Sequence, residues 1–374
     1  MFLKKMGSPK HKFWDIVKIF FFWRAGLLLL TYLGSQIFPL VANGGLGAIG
    51  PGKSFDFWAS WAQWDGGHYY NIAKFGYSTP TEYAFFPFYP LLVRILGFIF
   101  SGNFLVSGLL ISNTAFLLFL YVFYKFTAEI KGAKVAQAST ITLLVFPTAY
   151  FAVAMYSESI FLLTTALFFS MLSTKKYLRS ALLAGIASAT RLVGLVLALS
   201  LLVDFAKEKK EPFGQISKKI LFLAISILPF SLYSLYLYQK TKNPLYFLTV
   251  QTTWHRSITD PLATVYSYLA TLFSNKPFND YLDVFLTLLF LIVLFLGRKK
   301  IPPALWLFSL LAIIIPASSG TLTSMPRYLL SSLGVFIIAG EYLAATNFKF
   351  LIWGVSLLGQ ITLAIMFVNG HWTA

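Results

Sequence analysis

The sequence predicts an all-α, multi-pass membrane protein with about eleven transmembrane spans, forming a single domain over residues 1–374. Hydrophobic residues make up 57% of the 374 residues and charged residues only 11%, and the mean hydropathy is +0.72. A soluble domain needs more charged surface than this. A helix of about 20 residues crosses a hydrocarbon core roughly 30 Å thick. Apolar runs that could form whole or partial spans occur at 14–41, 104–126, 135–154, 158–173, 180–205, 219–240, 281–297, 301–318, 325–343 and 350–368.

Basic clusters indicate which loops face the cytoplasm. Lys and Arg number 30 and Asp and Glu 13, which gives a net charge of +17. In a soluble protein this excess suggests nucleic-acid binding, but here the basic residues lie in short clusters between apolar runs, as in cytoplasmic loops. The clusters are the N-terminal segment, Lys175/Lys176/Arg179, 207–219, Arg298/Lys299/Lys300 and Lys349. We therefore expect a cytoplasmic N-terminus, an uncleaved first span and no nucleic-acid partner.

The first span leads outward, so residues 42–83 are predicted to form a long extracytoplasmic loop. The next apolar piece, 85–100, contains Pro87, Pro90 and Arg94. A full crossing here would place the basic residues that follow on the wrong side of the membrane. We therefore expect 85–100 to be re-entrant or interfacial.

Two later segments also depend on the order of crossings. The run 180–205 has basic clusters on both flanks, which predicts two half-spans that meet at Thr190/Arg191 on the outer side. Residues 241–279 follow an outward span and precede an inward one, so they form the second long extracytoplasmic loop. Within this loop, 262–273 is predicted to lie along the membrane face.

Ionisable residues near a bilayer cost roughly 2.5–3.5 kcal/mol each on insertion scales, so their positions are informative in a chain poor in carboxylates. The predicted topology places seven of them at or near the outer face: Asp65, Glu82, Arg94, Glu158, Arg191, Arg256 and Arg327. This convergence predicts a chemical site on that face.

Asp65 lies between Trp64 and two glycines, directly after the first span. A partly desolvated carboxylate can act as a general base toward a hydroxyl, and glycines allow another molecule to approach the backbone closely. The alternative is an interfacial aromatic belt in which Asp65 caps a short helix. His68 lies three residues further on and could share a helical face with Asp65, but two ligands make a weak metal site.

The other candidates also allow two interpretations. Residues 83–90 are too rich in proline to form a continuous helix, so their backbone must be buried in protein or line a wet groove that could hold a lipid chain or a sugar. Glu158 could bind substrate hydroxyls, pair with an arginine, or simply begin a helix. Arg191, Arg256 and Arg327 could grip phosphate, or extend toward lipid headgroups.

Metal and cofactor chemistry is not predicted. The chain has no cysteine, which excludes thiolate metal sites and disulfides. It also contains no H-E-x-x-H and no D-x-D pattern of the kind that binds catalytic metal or metal-chelated nucleotide sugars. A sugar donor carried on a lipid phosphate requires neither.

Several motifs resemble the PIG-V family of mannosyltransferases, which are related to the second mannosyltransferase of GPI-anchor synthesis. The motifs are Trp64-Asp65-Gly66-Gly67-His68-Tyr69, Ala84-Phe85-Phe86-Pro87-Phe88-Tyr89-Pro90, Tyr156-Ser157-Glu158-Ser159, Ala189-Thr190-Arg191, Trp254-His255-Arg256, Pro326-Arg327-Tyr328 and Gly370-His371-Trp372. They occur in the family's order and cover nearly the whole chain. The resemblance implies a GT-C glycosyltransferase fold and a polyprenyl-phosphate sugar donor, typically dolichyl-phosphate mannose.

The resemblance also implies roles for single residues. It makes Asp65 the catalytic base, and the substrate-binding residues would be Trp64, His68, Tyr69, Glu158, Arg191, Arg256 and Arg327. The compact, Lys-rich chain is closer to a prokaryotic relative, which implies the plasma membrane, or the endoplasmic reticulum membrane for a eukaryotic protein. The acceptor would be a glycolipid or glycan.

The predicted reaction is sugar transfer with inversion at the extracytoplasmic face, without metal or cofactor. Two alternatives stay open from the sequence: a transporter or lipid flippase that uses the outer charges as a gated pathway, and a non-catalytic membrane scaffold. The sequence shows no internal repeat of the kind common in transporters.

Overall fold

The computed structural model describes residues 9–43, 45–50, 52–206, 213–274 and 277–373, with the side chains of 9–11 and 213–215 excepted. Within these ranges the chain is helical and contains no β-strand. The α-helices are α1 (Pro9–Ile37), α2 (Asp65–Phe75), α3 (Phe88–Ile99), α4 (Phe104–Lys131), α5 (Ala133–Leu144), α6 (Glu158–Ser173), α7 (Tyr177–Ser188), α8 (Val196–Phe205), α9 (Phe213–Thr241), α10 (Tyr246–Thr249), α11 (Pro261–Ala270), α12 (Phe278–Leu296), α13 (Pro303–Ala317), α14 (Met325–Leu329), α15 (Leu333–Ala344) and α16 (Lys349–Val368).

The helices divide into two classes by length. Five in the described part of the chain are long and apolar enough to cross a bilayer: Lys12–Ile37, Phe104–Lys131, Ile216–Thr241, Phe278–Leu296 and Lys349–Val368. Another five apolar helices have only 10–17 residues. The all-helical membrane architecture is confirmed, whereas helix length does not confirm the predicted count of about eleven spans.

Breaks explain the shorter helices. The predicted break at Thr190/Arg191 is present, because α7 ends at Ser188 and α8 begins at Val196 after a short 3₁₀ turn. A Cβ on Gly194 would lie 2.2 Å from the Ala187 carbonyl carbon. Only glycine therefore lets the chain fold back so tightly onto the end of α7.

The prediction of a single continuous helix is wrong for two apolar runs, because each is interrupted. The run 135–154 divides into α5 and a 3₁₀ turn at Ala149–Val153, on either side of Pro147. The run 325–343 divides into α14 and α15. At this second break the Ser332 hydroxyl donates to the Ser309 carbonyl over 3.0 Å, so the interruption does not leave that polar group unpaired.

Contacts at the helix ends join segments that the predicted topology places on the same side of the membrane. Lys131 at the end of α4 and Lys300 of the predicted cytoplasmic cluster both contact Glu341 near the end of α15, at 2.9 and 3.2 Å, so these three segments share one end of the bundle. The backbone N–H of Val41, after α1, donates to the carbonyl of Asn369, after α16, over 2.8 Å. These two predicted outer ends are therefore together as well.

The first long loop is partly helical, with α2 and two 3₁₀ turns, and the second contains α10 and α11. α4 packs between α5 and α6, α15 lies against α5, and α1 packs on α16. α9 contacts mainly α7 and exposes much of its apolar surface, as expected of a lipid-facing helix. This arrangement brings the starts of α2, α6 and α14 to one place.

Candidate active site

Asp65 begins α2 at an abrupt turn in the chain. The preceding residue, Trp64, has φ 56° and ψ −121°, a conformation that costs a non-glycine residue roughly 1–3 kcal/mol. The Trp64 ring packs edge-on against Trp372, with ring centroids 5.0 Å apart. The C-terminal segment thus helps to hold the strained turn, and the turn presents Asp65 at the first residue of the helix.

The segment before α6 lies directly beneath this loop. The Met155 N–H donates to the Trp61 carbonyl over 2.9 Å, and the Tyr156 hydroxyl donates to the Gln63 carbonyl over 2.8 Å. A Cβ on Gly66 would lie 3.3 Å from the Met155 carbonyl oxygen. Gly66 therefore serves close packing inside the protein, and the expected approach of another molecule to the backbone at this glycine is wrong.

Four charged residues form a continuous chain of ion pairs, which we call the ion-pair chain: Asp65, Arg327, Glu158 and Arg191. Arg327 Nη2 lies 2.7 Å from Asp65 Oδ2, and Arg327 Nε lies 3.2 Å from Glu158 Oε1. Arg191 Nη1 lies 2.5 Å from the same Glu158 oxygen. Each residue comes from a different predicted outer segment, so the fold assembles what the sequence separates.

Exposure differs along the ion-pair chain. The side chain of Asp65 is 24% exposed, compared with 7% for Arg327 and 4% for Glu158. Another molecule can therefore reach Asp65, whereas Glu158 is enclosed by its two arginines. A charge buried this deeply is costly without an ionic partner, and both arginines contact the same Glu158 oxygen, Oε1.

Arg256 extends the positive charge of the site. Its Nη1 donates to the Tyr328 hydroxyl over 2.8 Å and its Nη2 to the Thr323 carbonyl over 3.0 Å. Within the described ranges Arg256 has no ion pair with a carboxylate. Three arginines beside two carboxylates thus leave one positive charge for an anion.

Tyr328 is a site residue that the predicted set missed. The guanidinium carbons of Arg191, Arg256 and Arg327 lie 5.4, 5.6 and 5.2 Å from the centroid of its ring. An aromatic face attracts cations at such distances. Tyr328 directly follows Arg327 in the sequence, and this position could have identified it as a site residue.

His68 and Tyr69 lie on the adjacent wall. The His68 ring stacks on Phe85 with centroids 4.7 Å apart, and Trp254 meets both rings edge-on at 6.2 Å. The Tyr69 hydroxyl is buried and lies 2.8 Å from Ser157 Oγ. The site therefore has an aromatic side next to its charged side.

The proline-rich segment 83–90 is not a continuous helix, as predicted, and protein groups bind its freed backbone. The Phe88 N–H donates to the Ala189 carbonyl over 3.0 Å. The Tyr233 hydroxyl donates to the Tyr83 carbonyl and the Tyr77 hydroxyl to the Phe85 carbonyl, each over 2.7 Å. These backbone groups therefore have protein partners and do not require the water-filled groove that was the alternative.

Glu82 and Arg94 do not join the ion-pair chain. Glu82 is buried, and its Oε2 accepts hydrogen bonds from the N–H groups of Ser78 and Thr79, so it caps the start of its own 3₁₀ turn, Pro80–Ala84. Arg94 lies over the ring of Phe98 at 5.7 Å. Five of the seven charged residues considered therefore converge on one site.

The protonation of Asp65 follows from its surroundings. Burial by itself raises the pKa of this carboxyl, but the charge of Arg327, with smaller contributions from His68 and Arg256, outweighs burial. The pKa of Asp65 therefore lies below its ordinary value of 3.8. Asp65 is ionised at neutral pH, and its pairing with Arg327 makes it a weak base.

The described residues contain no cluster of three or more His, Cys, Asp or Glu side chains that could hold a metal ion. The metal-free reaction stays a prediction, because the cluster geometry does not test it.

The first loop also contains a phosphate-loop pattern, which would argue against the predicted absence of a cofactor if it bound a nucleotide. Residues 47–54, Gly-Ala-Ile-Gly-Pro-Gly-Lys-Ser, match G-x-x-x-x-G-K-[ST]. A phosphate loop joins a β-strand to a helix. Around this match the described residues show only an isolated bridge between Gly50 and Lys53, and the next helical segment is the 3₁₀ turn at Ala59–Ala62. The pattern therefore lacks the structural setting that would make it a nucleotide site.

Arg24 is a buried cation outside the predicted set of site residues. It lies near the middle of α1, donates from Nε to Asn113 Oδ1 over 2.9 Å, and covers the Trp61 ring at 4.2 Å. Trp61 is itself fully buried, four residues before Asp65. Arg24 thus supports the loop that carries the site.

No family model matches the sequence, and no curated protein sequence matches it at a significant level. The structure is similar to ArnT from Cupriavidus metallidurans, both in the apo state and bound to undecaprenyl phosphate. Both comparisons have a TM-score of 0.51, with 16% and 15% identity, and both cover 92% of this chain.

The chain spans only 62% and 63% of the length of those two ArnT chains. An oligosaccharyltransferase from Archaeoglobus fulgidus, solved with Zn and sulfate, is similar at a TM-score of 0.45 and 13% identity, over 93% of this chain and 53% of that one. The likeness to ArnT shows that this chain shares its fold, and the long apolar helices support an integral membrane protein.

Proposed function

We propose that the protein is an inverting glycosyltransferase that moves a sugar from a polyprenyl-phosphate donor to a lipid-linked or glycan acceptor at the extracytoplasmic membrane face. The observation that carries this proposal is the ion-pair chain, with Asp65 at its accessible end and, beside it, Arg256, which has no acidic partner among the residues that the structure describes. The fold supports the proposal, since ArnT, which is similar in fold, was solved with undecaprenyl phosphate. Mannose as the sugar, and membership of the PIG-V family, rest on the motif resemblance.

The reaction follows from the charges. An acceptor hydroxyl oxygen attacks the anomeric carbon while the bond from that carbon to the phosphate oxygen breaks, and the hydroxyl proton goes to Asp65. The polyprenyl phosphate leaves as an anion, and attack from the opposite side inverts the anomeric centre. Arg256 and Arg327 stabilise the charge that develops on the phosphate, so general acid help is not required.

The remaining site residues have supporting roles in this proposal. Glu158 orients Arg191 and Arg327, because its buried carboxylate contacts both. Trp64 and His68 offer aromatic surface of the kind that packs against sugar faces. Tyr69, which is buried, maintains the wall behind them.

Transfer of labelled mannose tests the function. Purified protein in lipid vesicles is supplied with labelled polyprenyl-phosphate mannose and candidate glycolipid acceptors, with and without a chelator. We expect a labelled product in both conditions, and its loss on replacing Asp65→Asn. The matched control is Asp56→Asn, an exposed acid of the same loop whose Oδ1 accepts from Trp58 and Ala59, as an amide oxygen also can.

Three outcomes would contradict the proposal. A normally folded Asp65→Asn protein that still transfers sugar would remove Asp65 from the mechanism. Loss of product with chelator would contradict the metal-free reaction. Movement of labelled lipid across the vesicle membrane without a new sugar product would favour a transporter.

The sidedness in the proposal has a separate test. Because the chain has no cysteine, single cysteines can be introduced at the exposed Ser54, predicted outside, and at the exposed Lys299, predicted inside. A membrane-impermeant maleimide added to intact prokaryotic cells should label only the first. The reverse result would place the site at the cytoplasmic face.

A further inference from the structure

Two steps of the proposed reaction require the same guanidinium group. A general base must accept a proton, and the contact of Asp65 Oδ2 with Arg327 Nη2 at 2.7 Å lowers the proton affinity of this carboxylate. A departing phosphate needs a cation, and Arg327 is one of the three at the site. Asp65 and the donor phosphate thus have a common partner.

Arg327 is anchored in a way that allows only part of it to change partner. Its Nε contacts Glu158, which is almost completely buried, while its Nη2 faces the more exposed Asp65. The backbone beside it is also fixed, because the Thr148 hydroxyl donates to the Pro326 carbonyl over 2.7 Å. The Nη2 group can therefore exchange one anion for another while Nε and the backbone stay in place.

We propose that the donor phosphate displaces Asp65 from Nη2 of Arg327, so that donor binding itself releases the catalytic base. This inference rests on the proposed function and adds a binding order to it. Before the donor arrives, the carboxylate is neutralised by Arg327 and is a poor proton acceptor. After the donor binds, the phosphate occupies Nη2 and the carboxylate is available to the acceptor hydroxyl.

Competition for one cation has a measurable and unusual consequence. Coupling between two ligands of one group is reciprocal, so removal of the charge on Asp65 must strengthen phosphate binding. A partly exposed ion pair contributes about 1 kcal/mol, which corresponds to roughly a fivefold change in affinity. Asp65→Asn should therefore bind undecaprenyl phosphate about fivefold more tightly than the unmodified protein, although its catalytic base is gone.

The experiment measures binding of undecaprenyl phosphate to the full-length protein in nanodiscs. The variants are Asp65→Asn, the loop control Asp56→Asn, and each of these combined with Arg327→Lys. Undecaprenol, which has the same chain without phosphate, is the neutral probe. We expect tighter undecaprenyl phosphate binding for Asp65→Asn alone and no gain for undecaprenol. Asp65→Asn should give no gain when Arg327 is lysine, because lysine lacks the fork that contacts Glu158 through one nitrogen and Asp65 or phosphate through another.

The outcomes separate the two proposals. Unchanged or weaker binding by Asp65→Asn, in a protein that otherwise binds undecaprenyl phosphate, overturns the competition and leaves the proposed function intact. An equal gain for Asp56→Asn also overturns it, because the effect would then come from net charge. Failure of every variant to bind undecaprenyl phosphate overturns the proposed function together with the competition.

Discussion

Replacement of Glu158→Gln should destabilise the protein far more than the same change at Glu341. Each carboxylate contacts two cations at similar distances, 2.5 and 3.2 Å for Glu158 and 2.9 and 3.2 Å for Glu341. They differ in exposure, because the side chain of Glu158 is 4% exposed and that of Glu341 is 29% exposed. Burial alone therefore separates the two substitutions.

The expected magnitudes follow from that difference. Removal of one member of a buried ion pair leaves an uncompensated charge and costs about 3–5 kcal/mol. An exposed pair contributes about 0–1 kcal/mol, since water and salt replace it. We thus expect Glu158→Gln to lower the free energy of unfolding by at least about 3 kcal/mol, and Glu341→Gln by less than about 1 kcal/mol.

Denaturant titration in mixed micelles measures both changes, with near-ultraviolet circular dichroism as the signal. Salt provides a second readout, because added salt should weaken the effect at Glu341 and leave that at Glu158 nearly unchanged. Equal losses of stability at the two positions would refute the reasoning. So would a stable Glu158→Gln protein, because Arg191 and Arg327 could not then depend on that carboxylate.

Three further predictions concern the loop and its base. Gly66→Ala should lower both stability and sugar transfer, because the added methyl group would lie 3.3 Å from the Met155 carbonyl oxygen. Gly67→Ala should fold normally, since its methyl group would meet only the Ala62 carbonyl oxygen at 3.8 Å. Equal behaviour of the two variants in thermal unfolding would contradict this. The ion pair of Asp65 stabilises the fold above pH 3.8, the ordinary pKa of the group, and is lost as pH falls through its lower folded-state pKa. The acid limb of kcat/KM reports the free enzyme and should therefore lie below pH 3.8. The acid limb of kcat reports the enzyme with donor bound and should lie at a higher pH, because donor binding releases the carboxylate from Arg327. A pH–rate series in which the two limbs coincide would contradict this. Arg24→Lys should cost about 1–3 kcal/mol in thermal unfolding, because lysine keeps the charge but loses the planar contact over Trp61, and an unchanged unfolding midpoint would show that this contact is unimportant.

Much of the architecture could be predicted from the sequence, because long apolar runs and basic flanks report directly on membrane insertion. The runs that correspond to α4, α12 and α16 are single helices, and the break at Thr190/Arg191 is where the charge pattern requires it. Hydropathy averaged over a window did not reveal the breaks near Pro147 and Ser332. In both places the flanking residues are apolar, and the interruption depends on individual polar or proline residues.

The candidate site was predictable as a set of residues but not as a set of contacts. A scarcity of carboxylates made Asp65 and Glu158 conspicuous, and the order of crossings placed both with the arginines. The sequence gives no distances, so it could not show that Arg327 joins the two acids. Nor could it show the positive φ of Trp64, since that conformation is imposed by packing against distant residues.

The order of residues along the chain determines when each ion pair of the ion-pair chain can form during synthesis. Glu158 is synthesised before either of its cationic partners, and Arg191 follows soon afterwards, so this pair can form long before Arg327 is made. Asp65 must wait for Arg327, which lies more than half the chain further on. The nascent protein therefore carries Asp65 without its ionic partner through most of its synthesis. The carboxylate can be neutralised only after the segment that contains Arg327 has been made.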